Sequence, residues 1–291
     1  MQIPYQGPYL WENLINFLGH RAILGVETIV DGNYCRTVTF DDGDQLIDGV
    51  IQVAHDEQAQ QLRVHLSDHL INHQALIKQR VIKMFDIDHD PQRSYQALQS
   101  LSEVHPDLPL LGLRIPGAFD FFEVSVRAVL GQQISVKAAS TLAGRLALHC
   151  GTPIESDVEG LTHLFPSPAS LIKNEKQTLQ ILGGLGINQS KARAIVALAH
   201  YFIENKEADY VLKDPEVVIA ELCELPQIGP WTANYIAMRT LQYHDGFLES
   251  DYGVKKALKM TNHKEILALS EKWKPYRGYA TFNLWEALAK E

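Results

Sequence analysis

The sequence predicts an α+β protein, with an antiparallel sheet near the amino terminus and a larger, mostly α-helical region after it. Residues 36–40 and 62–66 alternate apolar and polar side chains with a period of two, which is typical of half-buried strands. From about residue 89 onward, apolar residues recur instead with the period of a helix. Within that region, residues 214–241 give two helical segments joined by a short turn that contains Gly and Pro.

Residues 1–88 are expected to form an accessory α/β domain without a reaction centre. Residues 45–53 supply a further strand, and Asp42-Gly43 marks a hairpin-type turn between strands. Residues 76–85 place apolar side chains on one face, which predicts an amphipathic helix against the sheet. The first domain is therefore a sheet backed by helices.

The remaining chain is expected to form two helical domains, one from residues 89–120 together with 244–291 and one from residues 121–243. Asp90-Pro91 begins the first helix, because Asp caps a helix and Pro fits its first position. The Gly-rich segment 183–186 lacks the spacing of a nucleotide-binding loop and is interpreted as a turn. The other predicted helical segments are residues 119–149, as one helix or two, a helix after Ser167-Pro168, and residues 189–201.

The stretch from Asp214 onward is predicted to be a helix, a six-residue hairpin and a second helix. Asp214 caps the first helix, and residues 225–230, Leu-Pro-Gln-Ile-Gly-Pro, interrupt it. Gly229 leaves the backbone N–H groups at the start of the second helix, residues 231–241, open to close approach, which suits a phosphate. The alternative is a tight turn between two packed helices.

Asp251 is the leading candidate for chemistry. It stands at the start of a further predicted helix, shortly after the hairpin, with Lys255 four residues later. A fixed carboxylate can stabilise a developing positive charge or deprotonate an attacking water, and the sequence does not separate these roles. The structural alternative is that Asp251 only caps its helix.

Composition limits the class of protein. The 291 residues include 46% apolar and 21% charged residues, which is ordinary for a globular protein. No apolar run has the length of a membrane span, and the amino terminus shows no secretory signal, so we expect a cytoplasmic protein. The net charge of −9 argues against a surface that coats DNA, so any DNA footprint should be local. The basic residues expected to form it are Lys255, Lys256, Lys259, Lys272, Lys274 and Arg277.

The three cysteines, Cys35, Cys150 and Cys223, lie far apart and predict neither a disulfide framework nor a zinc site. They are also too few for the four thiolates of an iron–sulfur cluster. Two His-x-Glu triplets, at 55–57 and 263–265, lack the partner motifs of zinc enzymes. We therefore expect no cluster and no zinc.

Several motifs together resemble one family. Residues 122–135, FEVSVRAVLGQQIS, resemble its F-E-x-x-V-R-A-I-L-G-Q-x-x-S helix, and residues 273–280, WKPYRGYA, followed by Trp285, resemble its carboxyl-terminal motif. With the hairpin and Asp251, and with amino-terminal segments around residues 17–36, these motifs occur in the same order along nearly the whole chain. The chain is thus similar to the AlkA-type 3-methyladenine DNA glycosylase II family of the helix-hairpin-helix DNA glycosylase superfamily.

The resemblance implies a catalytic role for Asp251 and an aromatic base pocket formed by Trp231, Tyr235, Trp285 and Phe17, with Gln132 beside it. Bifunctional members of the superfamily end the hairpin with a Lys that forms a Schiff base. Trp231 stands at that position and offers no amine, so a monofunctional enzyme is expected. An indole face also attracts a cationic alkylated base.

For DNA binding, the resemblance implies that Gln133 is the wedge that fills the space left by the flipped base. The usual wedge of the family is Leu, so Gln133 is a departure. The backbone positions expected to contact phosphate are Gln227, Ile228, Gly229 and Thr232. The carbonyls of Cys223, Leu225 and Gln227 are expected to coordinate a monovalent cation, the only cofactor implied.

The expected function is excision of alkylated purines, such as 3-methyladenine and 7-methylguanine, from damaged double-stranded DNA, leaving an abasic site. Departures at Ser250, Gln133 and Tyr276 leave open the same fold acting on other damaged purines, such as hypoxanthine or ethenoadenine. A non-catalytic DNA-structure binder that uses the hairpin is the third hypothesis. No membrane or obligate protein partner is implied, and we expect a monomer.

Overall fold

The computed structural model describes residues 1–41 and 46–289. Its larger sheet and the helices around it come first in the chain, and the other helices follow. The strands are β1 (Gln2–Pro4), β2 (Glu27–Val30), β3 (Asn33–Asp41), β4 (Leu46–Asp56), β5 (Gln61–Leu66), β6 (Thr152–Pro153) and β7 (His163–Leu164). The α-helices are α1 (Trp11–Arg21), α2 (Gln74–Met84), α3 (Pro91–Ala97), α4 (Phe121–Leu130), α5 (Val136–Cys150), α6 (Pro168–Ile172), α7 (Glu175–Gly184), α8 (Gln189–Glu204), α9 (Glu207–Tyr210), α10 (Pro215–Cys223), α11 (Pro230–Thr240), α12 (Tyr252–Leu258), α13 (His263–Ser270) and α14 (Arg277–Ala289). Short 3₁₀ helices cover Asp68–His73, Gln99–Glu103 and Glu271–Trp273.

Strands β1 to β5 form an antiparallel sheet in the order β1-β5-β4-β3-β2, which confirms the predicted α+β class. The predicted strands 36–40 and 62–66 lie within β3 and β5, and the predicted strand 45–53 overlaps β4 from Leu46 onward, Gln45 lying outside the described residues. Strands β1 and β2 were not predicted, because three or four residues are too few to show a period of two. The predicted turn at Asp42-Gly43 lies outside the described residues.

The core is continuous between the sheet and the helices. Phe85, just after α2, stacks on Trp11 of α1 with ring centroids 5.6 Å apart and meets the edge of Tyr34 of β3 at 5.7 Å. Helix α2 buries Ile77, Val81 and Met84, as the predicted amphipathic pattern requires. The sheet thus packs against α1, which follows its first strand, and against α2, which follows its last strand.

The predicted helical segment 119–149 consists of two helices, α4 and α5. Asp120 caps α4 by accepting a hydrogen bond from the N–H of Glu123, and Ser135 caps α5 by accepting one from Ala138. Between them, Gln133 has a left-handed backbone with φ of 58°. The break leaves a short loop at residues 131–135, which we call the wedge loop.

Helices α10 and α11 form the predicted helix-hairpin-helix. Asp214 caps α10 through the N–H of Glu216 at 2.8 Å, and Pro230 begins α11 with Gly229 as its N-cap residue. Helix α11 also packs against α4, which brings the hairpin next to the wedge loop. In the segment 183–186, the first two glycines end α7 and only Gly186 has a left-handed backbone, with φ of 88°.

None of the described helices is long and apolar enough to cross a membrane.

Candidate active site

A cavity of about 1070 Å³ lies where the wedge loop, α11 and the start of α12 meet α1, α4 and α14. Its wall contains eight of the predicted site residues, which are Gln132, Gln133, Gln227, Trp231, Thr232, Tyr235, Asp251 and Trp285. These residues come from the wedge loop, the hairpin with α11, the N-cap of α12 and α14. The fold therefore assembles most of the predicted site in one place.

Asp251 is the N-cap residue of α12, and its carboxylate lies among the aromatic side chains of the cavity. Its Oδ1 accepts hydrogen bonds from the N–H of Val254 at 2.9 Å and from the indole N–H of Trp285 at 2.8 Å. Its Oδ2 accepts one from the indole N–H of Trp231 at 3.2 Å. Asp251 thus caps its helix and also presents a carboxylate to the cavity. The cap is confirmed, and the catalytic role of Asp251 stays a prediction.

Trp285 can reach Asp251 because residue 253 is glycine. A Cβ on Gly253 would lie 2.8 Å from Cδ1 of Trp285 and 3.0 Å from Oδ1 of Asp251, closer than such atoms normally approach. The first turn of α12 is therefore open on the side where the indole lies. This glycine is required by a close approach of a side chain, not by a special backbone angle.

Trp231 and Tyr235, one turn apart on α11, stack with parallel rings 5.4 Å between centroids and 5° between planes. Phe17 does not line the cavity, in contrast to the prediction that it contacts the base. It lies behind Trp285, with centroids 6.4 Å apart, and is held there by Phe282 at 5.2 Å. Phe17 therefore supports Trp285 from behind.

The two glutamines of the wedge loop have different surroundings. Gln133 is exposed at the cavity and makes the left-handed turn of the loop. The side-chain amide of Gln132 donates to the backbone carbonyl of Gln227 at 2.9 Å and to Oγ1 of Thr232 at 3.0 Å. Gln132 was predicted as a base contact, but its amide joins the wedge loop to the hairpin.

The predicted phosphate positions of the hairpin also differ from one another. Ile228 was predicted to contact phosphate through its backbone N–H. In the structure this N–H donates to the carbonyl of Leu225 at 3.2 Å, so it is used inside the hairpin. Gln227 has a left-handed backbone with φ of 64°. Within the described part of the chain, the N–H groups of Gly229 and Thr232 have no acceptor. Free donors at the start of α11 are what an anion requires.

Three arginines that the sequence analysis assigned no role also line the cavity, Arg21 of α1, Arg127 of α4 and Arg239 of α11. Arg239 donates to the hydroxyl of Tyr235 at 2.8 Å. Burial alone would raise the pKa of Tyr235, but Arg239, Arg21 and Arg127 outweigh burial and lower it. The sequence contains a signal for two of these arginines. Arg21 follows Phe17, and Arg239 follows Tyr235, by four residues, which places each arginine on the same helix face as a predicted pocket residue.

A second buried charge group borders the cavity and connects the sheet to α4. Arg36 of β3 forms an ion pair with Glu123 of α4 at 2.6 Å and lies 3.9 Å from Glu27 of β2. Tyr34 donates to Glu27. Burial raises the pKa of Glu123 above its ordinary value, although Arg36 opposes the shift. Buried charges are tolerated where they are paired in this way, so this group aligns α4 with the sheet.

The predicted basic footprint is divided. Lys255, Lys256 and Lys259 are in or directly after α12. The other three residues are engaged with acidic side chains, since Lys272 pairs with Glu103 at 3.5 Å, Lys274 with Glu271 at 2.9 Å and Arg277 with Asp245 at 2.7 Å. Lys255, Lys256 and Lys259 therefore lie close to Asp251 in the chain, and their contact with a DNA backbone stays a prediction.

Comparisons with known proteins agree with this architecture. The model of the AlkA N-terminal domain matches residues 1–120, and that of the HhH-GPD superfamily base excision DNA repair protein matches residues 126–272. The chain is 34% identical over 281 residues to DNA-3-methyladenine glycosylase 2 of Escherichia coli (strain K12), covering 97% of this chain and 95% of that protein. It is 32% identical to a probable bifunctional transcriptional activator/DNA repair enzyme AlkA of Mycobacterium tuberculosis, covering 99% of this chain and 57% of that protein.

Among solved structures, the fold is similar to that of a 3-methyladenine DNA-glycosylase from Archaeoglobus fulgidus. The TM-score is 0.80 at 18% identity, and the match covers 98% of this chain and 97% of that one. At this identity the likeness concerns the fold alone. The match to both family models and the 34% identity along nearly the whole chain show kinship as well. The chain belongs to the AlkA-type branch of the helix-hairpin-helix superfamily of base excision DNA repair proteins.

Proposed function

We propose that this chain is a monofunctional DNA glycosylase that flips an alkylated purine out of duplex DNA, hydrolyses its N-glycosidic bond and leaves an abasic site. The observation that carries the proposal is the carboxylate of Asp251, held by two indole N–H groups beside a cavity large enough for a base. The Escherichia coli relative is named for 3-methyladenine in DNA, which supports alkylated purines as the substrate class.

Asp251 acts by stabilising positive charge on the sugar. As the glycosidic bond breaks, the deoxyribose becomes an oxocarbenium-like cation, and a carboxylate already held in position stabilises it without reorganisation. Three N–H donors fix the orientation of Asp251, two on Oδ1 and one on Oδ2. If Asp251 were a general base, its carboxylate would have to accept a proton from the attacking water while its oxygens already accept hydrogen bonds from these three donors. The arrangement favours the electrostatic role.

The aromatic surface of the cavity binds the flipped base. Trp231 is half-buried, and one face of its ring is stacked on the ring of Tyr235. A methylated purine carries positive charge, and contact with an indole face is worth about 0.5 to 2 kcal/mol. Because a cationic base is also a good leaving group, binding and the carboxylate together suffice for its excision.

The proposal excludes strand cleavage by a Schiff base. Trp231 occupies the position where bifunctional members of the superfamily carry a lysine, and an indole is not a nucleophilic amine. Among the described residues that line the cavity, none is a lysine. The abasic product therefore stays intact.

DNA is held by the hairpin and the wedge loop of a single chain. The free N–H groups at the start of α11 bind a backbone phosphate, and Gln133 fills the gap in the base stack. Every residue in this account comes from one chain, which fits a monomer.

The hairpin carbonyls suit a monovalent cation. The carbonyls of Leu225 and Gln227 each accept one hydrogen bond within the protein and keep a second lone pair, and Cys223 ends α10 beside them. Neutral oxygen donors are appropriate for such an ion, which would neutralise charge on a bound phosphate. In the described residues, no three His, Cys, Asp or Glu side chains are placed to hold a metal ion.

The test is base release from methylated duplex DNA by the wild type and by Asp251→Asn, with strand breaks measured before and after hot alkali. Asn retains the helix cap but not the charge, so release of 3-methyladenine should fall by several orders of magnitude in the variant. Breaks should appear only after alkali. Asp214→Asn is the matched control, since Asp214 caps α10 in the same way but lies outside the cavity.

Full activity of Asp251→Asn would refute the role of this carboxylate. Breaks without alkali would refute the monofunctional assignment. No base release by the wild type, with retained binding to abasic DNA, would favour the non-catalytic binder.

A further inference from the structure

The ammonium of Lys191, in α8, is bound to the wedge loop and does not line the cavity. Its Nζ donates to the carbonyls of Leu130 and Gln132, each at 2.8 Å. Lys191 is only 8% exposed, and burial lowers the pKa of its ammonium. Within the described residues, no carboxylate pairs with it. This buried charge therefore serves two backbone carbonyls, and burying a charge is costly unless such partners are met.

The position of Lys191 in its own helix does not favour a cation. It is the third residue of α8, and its N–H donates to the N-cap residue Asn188 at 2.9 Å. Backbone dipoles make the amino-terminal end of a helix positive, which opposes a lysine there. Leu130, in contrast, is the last residue of α4, where carbonyls lack intrahelical donors. Within residues 1–41 and 46–289, no backbone N–H donates to the carbonyl of Leu130 or Gln132, so the ammonium satisfies both.

Gln133, the expected wedge, directly follows the second of these carbonyls and has a left-handed backbone, with φ of 58°. Residues other than glycine seldom adopt this conformation, which persists only where the surrounding structure holds it. Gln132 is held at both ends, since its carbonyl accepts from Lys191 and its amide donates to the hairpin. The direction in which Gln133 leaves the loop is therefore fixed by its neighbour, and Lys191 supplies part of that constraint.

We propose that Lys191 is a positioning residue for base flipping, because its ammonium fixes the wedge loop so that Gln133 enters the base stack at the correct point. This rests on the proposed glycosylase function and on Gln133 as the wedge. Lys191 is not in the cavity wall, so it acts through Gln133 and not by contact with the base. A displacement of about 1 Å in a group that positions the substrate can cost up to about a hundredfold in rate.

The first test is a double-mutant cycle on release of 3-methyladenine from methylated duplex DNA, in single turnover with saturating enzyme. Lys191→Met should slow release by roughly ten- to a hundred-fold, and Gln133→Ala should also slow it. If Lys191 acts through Gln133, adding Lys191→Met to Gln133→Ala should cost less than about threefold more, since residues that act as a unit are not additive. Losses that multiply, or a wild-type rate in either single variant, would overturn the proposal.

The second test compares the affinities for abasic and for undamaged duplex DNA, because only the abasic duplex offers a gap for the wedge. Lys191→Met should weaken abasic binding by about tenfold, the equivalent of roughly one hydrogen bond. Binding of undamaged duplex through phosphate should change by less than about twofold. The ratio of these affinities does not depend on how much of a variant is folded. An unchanged ratio in Lys191→Met would overturn the proposal.

Lys191→Arg keeps the charge and the donors and should recover part of both losses. Lys213→Met is the matched control, because the ammonium of Lys213 donates to Asn205 and Glu221, each at 2.7 Å, outside the cavity wall. If Lys191→Met does not fold, Lys191→Gln, which is too short to span the same distance, replaces it in both tests. Wild-type protein that releases no 3-methyladenine would remove the proposed glycosylase function, while the affinity ratio would still decide the role of Lys191.

Discussion

At the scale of single residues, the site depends on how Asp251 is held. Its two oxygens accept hydrogen bonds from different indoles, so each tryptophan positions the carboxylate in addition to the base contact proposed for it. Gly253 makes the shorter of these bonds possible by leaving room for Trp285. A hydrogen bond to a charged acceptor is stronger than one between neutral groups, so the indole N–H groups should contribute measurably to catalysis.

We therefore expect Trp285→Phe to reduce excision of 3-methyladenine by roughly tenfold, because the aromatic ring remains but one charged hydrogen bond is lost. Single-turnover base release measures this effect. Trp11→Phe is the matched control, since the indole of Trp11 donates to the carbonyl of Gly32 at 3.2 Å, away from the cavity. Equal rates for Trp285→Phe and the wild type would show that the indole serves only as a surface.

At the scale of elements, the wedge loop and the hairpin are joined. The Gln132 amide connects the loop to Gln227 and Thr232, and the ammonium of Lys191 in α8 donates to the carbonyls of Leu130 and Gln132, both at 2.8 Å. The loop that carries Gln133 is thus held at two points. A wedge and a phosphate site must keep a constant separation to act on the same DNA, which these bonds provide.

Gln132→Met should separate the two elements without unfolding the protein. Losing two neutral hydrogen bonds at a half-exposed side chain costs about 1 to 2 kcal/mol, so the free energy of unfolding should fall by no more than that and the protein should stay folded. Base release and affinity for abasic duplex DNA should both fall by about tenfold or more, since misplacing a substrate is costly in rate. Gln99→Met is the control, because Gln99 donates to the carbonyl of Tyr95 on the surface. Wild-type affinity in Gln132→Met would argue against the coupling.

At the scale of the whole molecule, a buried polar cluster joins the two ends of the chain. Asp86, after α2, accepts hydrogen bonds from the hydroxyl of Tyr279 in α14 at 2.6 Å and from the N–H of Ile115 at 3.1 Å. His89 stacks on the ring of Tyr279 at 4.1 Å and bonds to Ser94 at 2.8 Å. The cluster holds α14, and with it Trp285, against the amino-terminal region.

This cluster predicts a pH dependence of stability. Burial, together with the nearby His244 and Arg114, lowers the pKa of His89 from 6.5 to about 3. In the unfolded chain His89 takes up a proton near pH 6.5, but in the folded chain it stays neutral until about pH 3. Acid therefore favours the unfolded state, and the His89 contribution to stability is lost as pH falls through that window.

Asp86 acts in the opposite direction, because burial raises its pKa to about 6 and its protonation stabilises the folded state as pH falls below that value. The measurement is consequently a comparison of thermal unfolding from pH 7 to pH 4 for the wild type and His89→Phe, which keeps the stacked ring and Asp86. The wild type should lose stability on acidification more steeply than the variant. Parallel curves would contradict the assigned pKa of His89.

Local patterns in the sequence were sufficient for much of the fold. Helix caps at Asp90, Asp214 and Asp251 and the strands β3 to β5 follow from residue types and periods that act over a few positions. The family motifs placed Asp251 next to Trp231 and Trp285. They did not show that Phe17 lies behind Trp285 or that the Gln132 amide is bound to the hairpin, because these depend on which ring or carbonyl is nearer once the helices pack.

The sequence by itself determined the α+β class, the helix-hairpin-helix and the family, since each is encoded in short stretches whose residues are neighbours along the chain. Only the tertiary structure decided that Arg21, Arg127 and Arg239 line the same cavity as Asp251. Those arginines belong to three helices and are distant in sequence. Their proximity results from the packing of whole helices, and the charge of a cavity is the sum of side chains that no local pattern relates to one another.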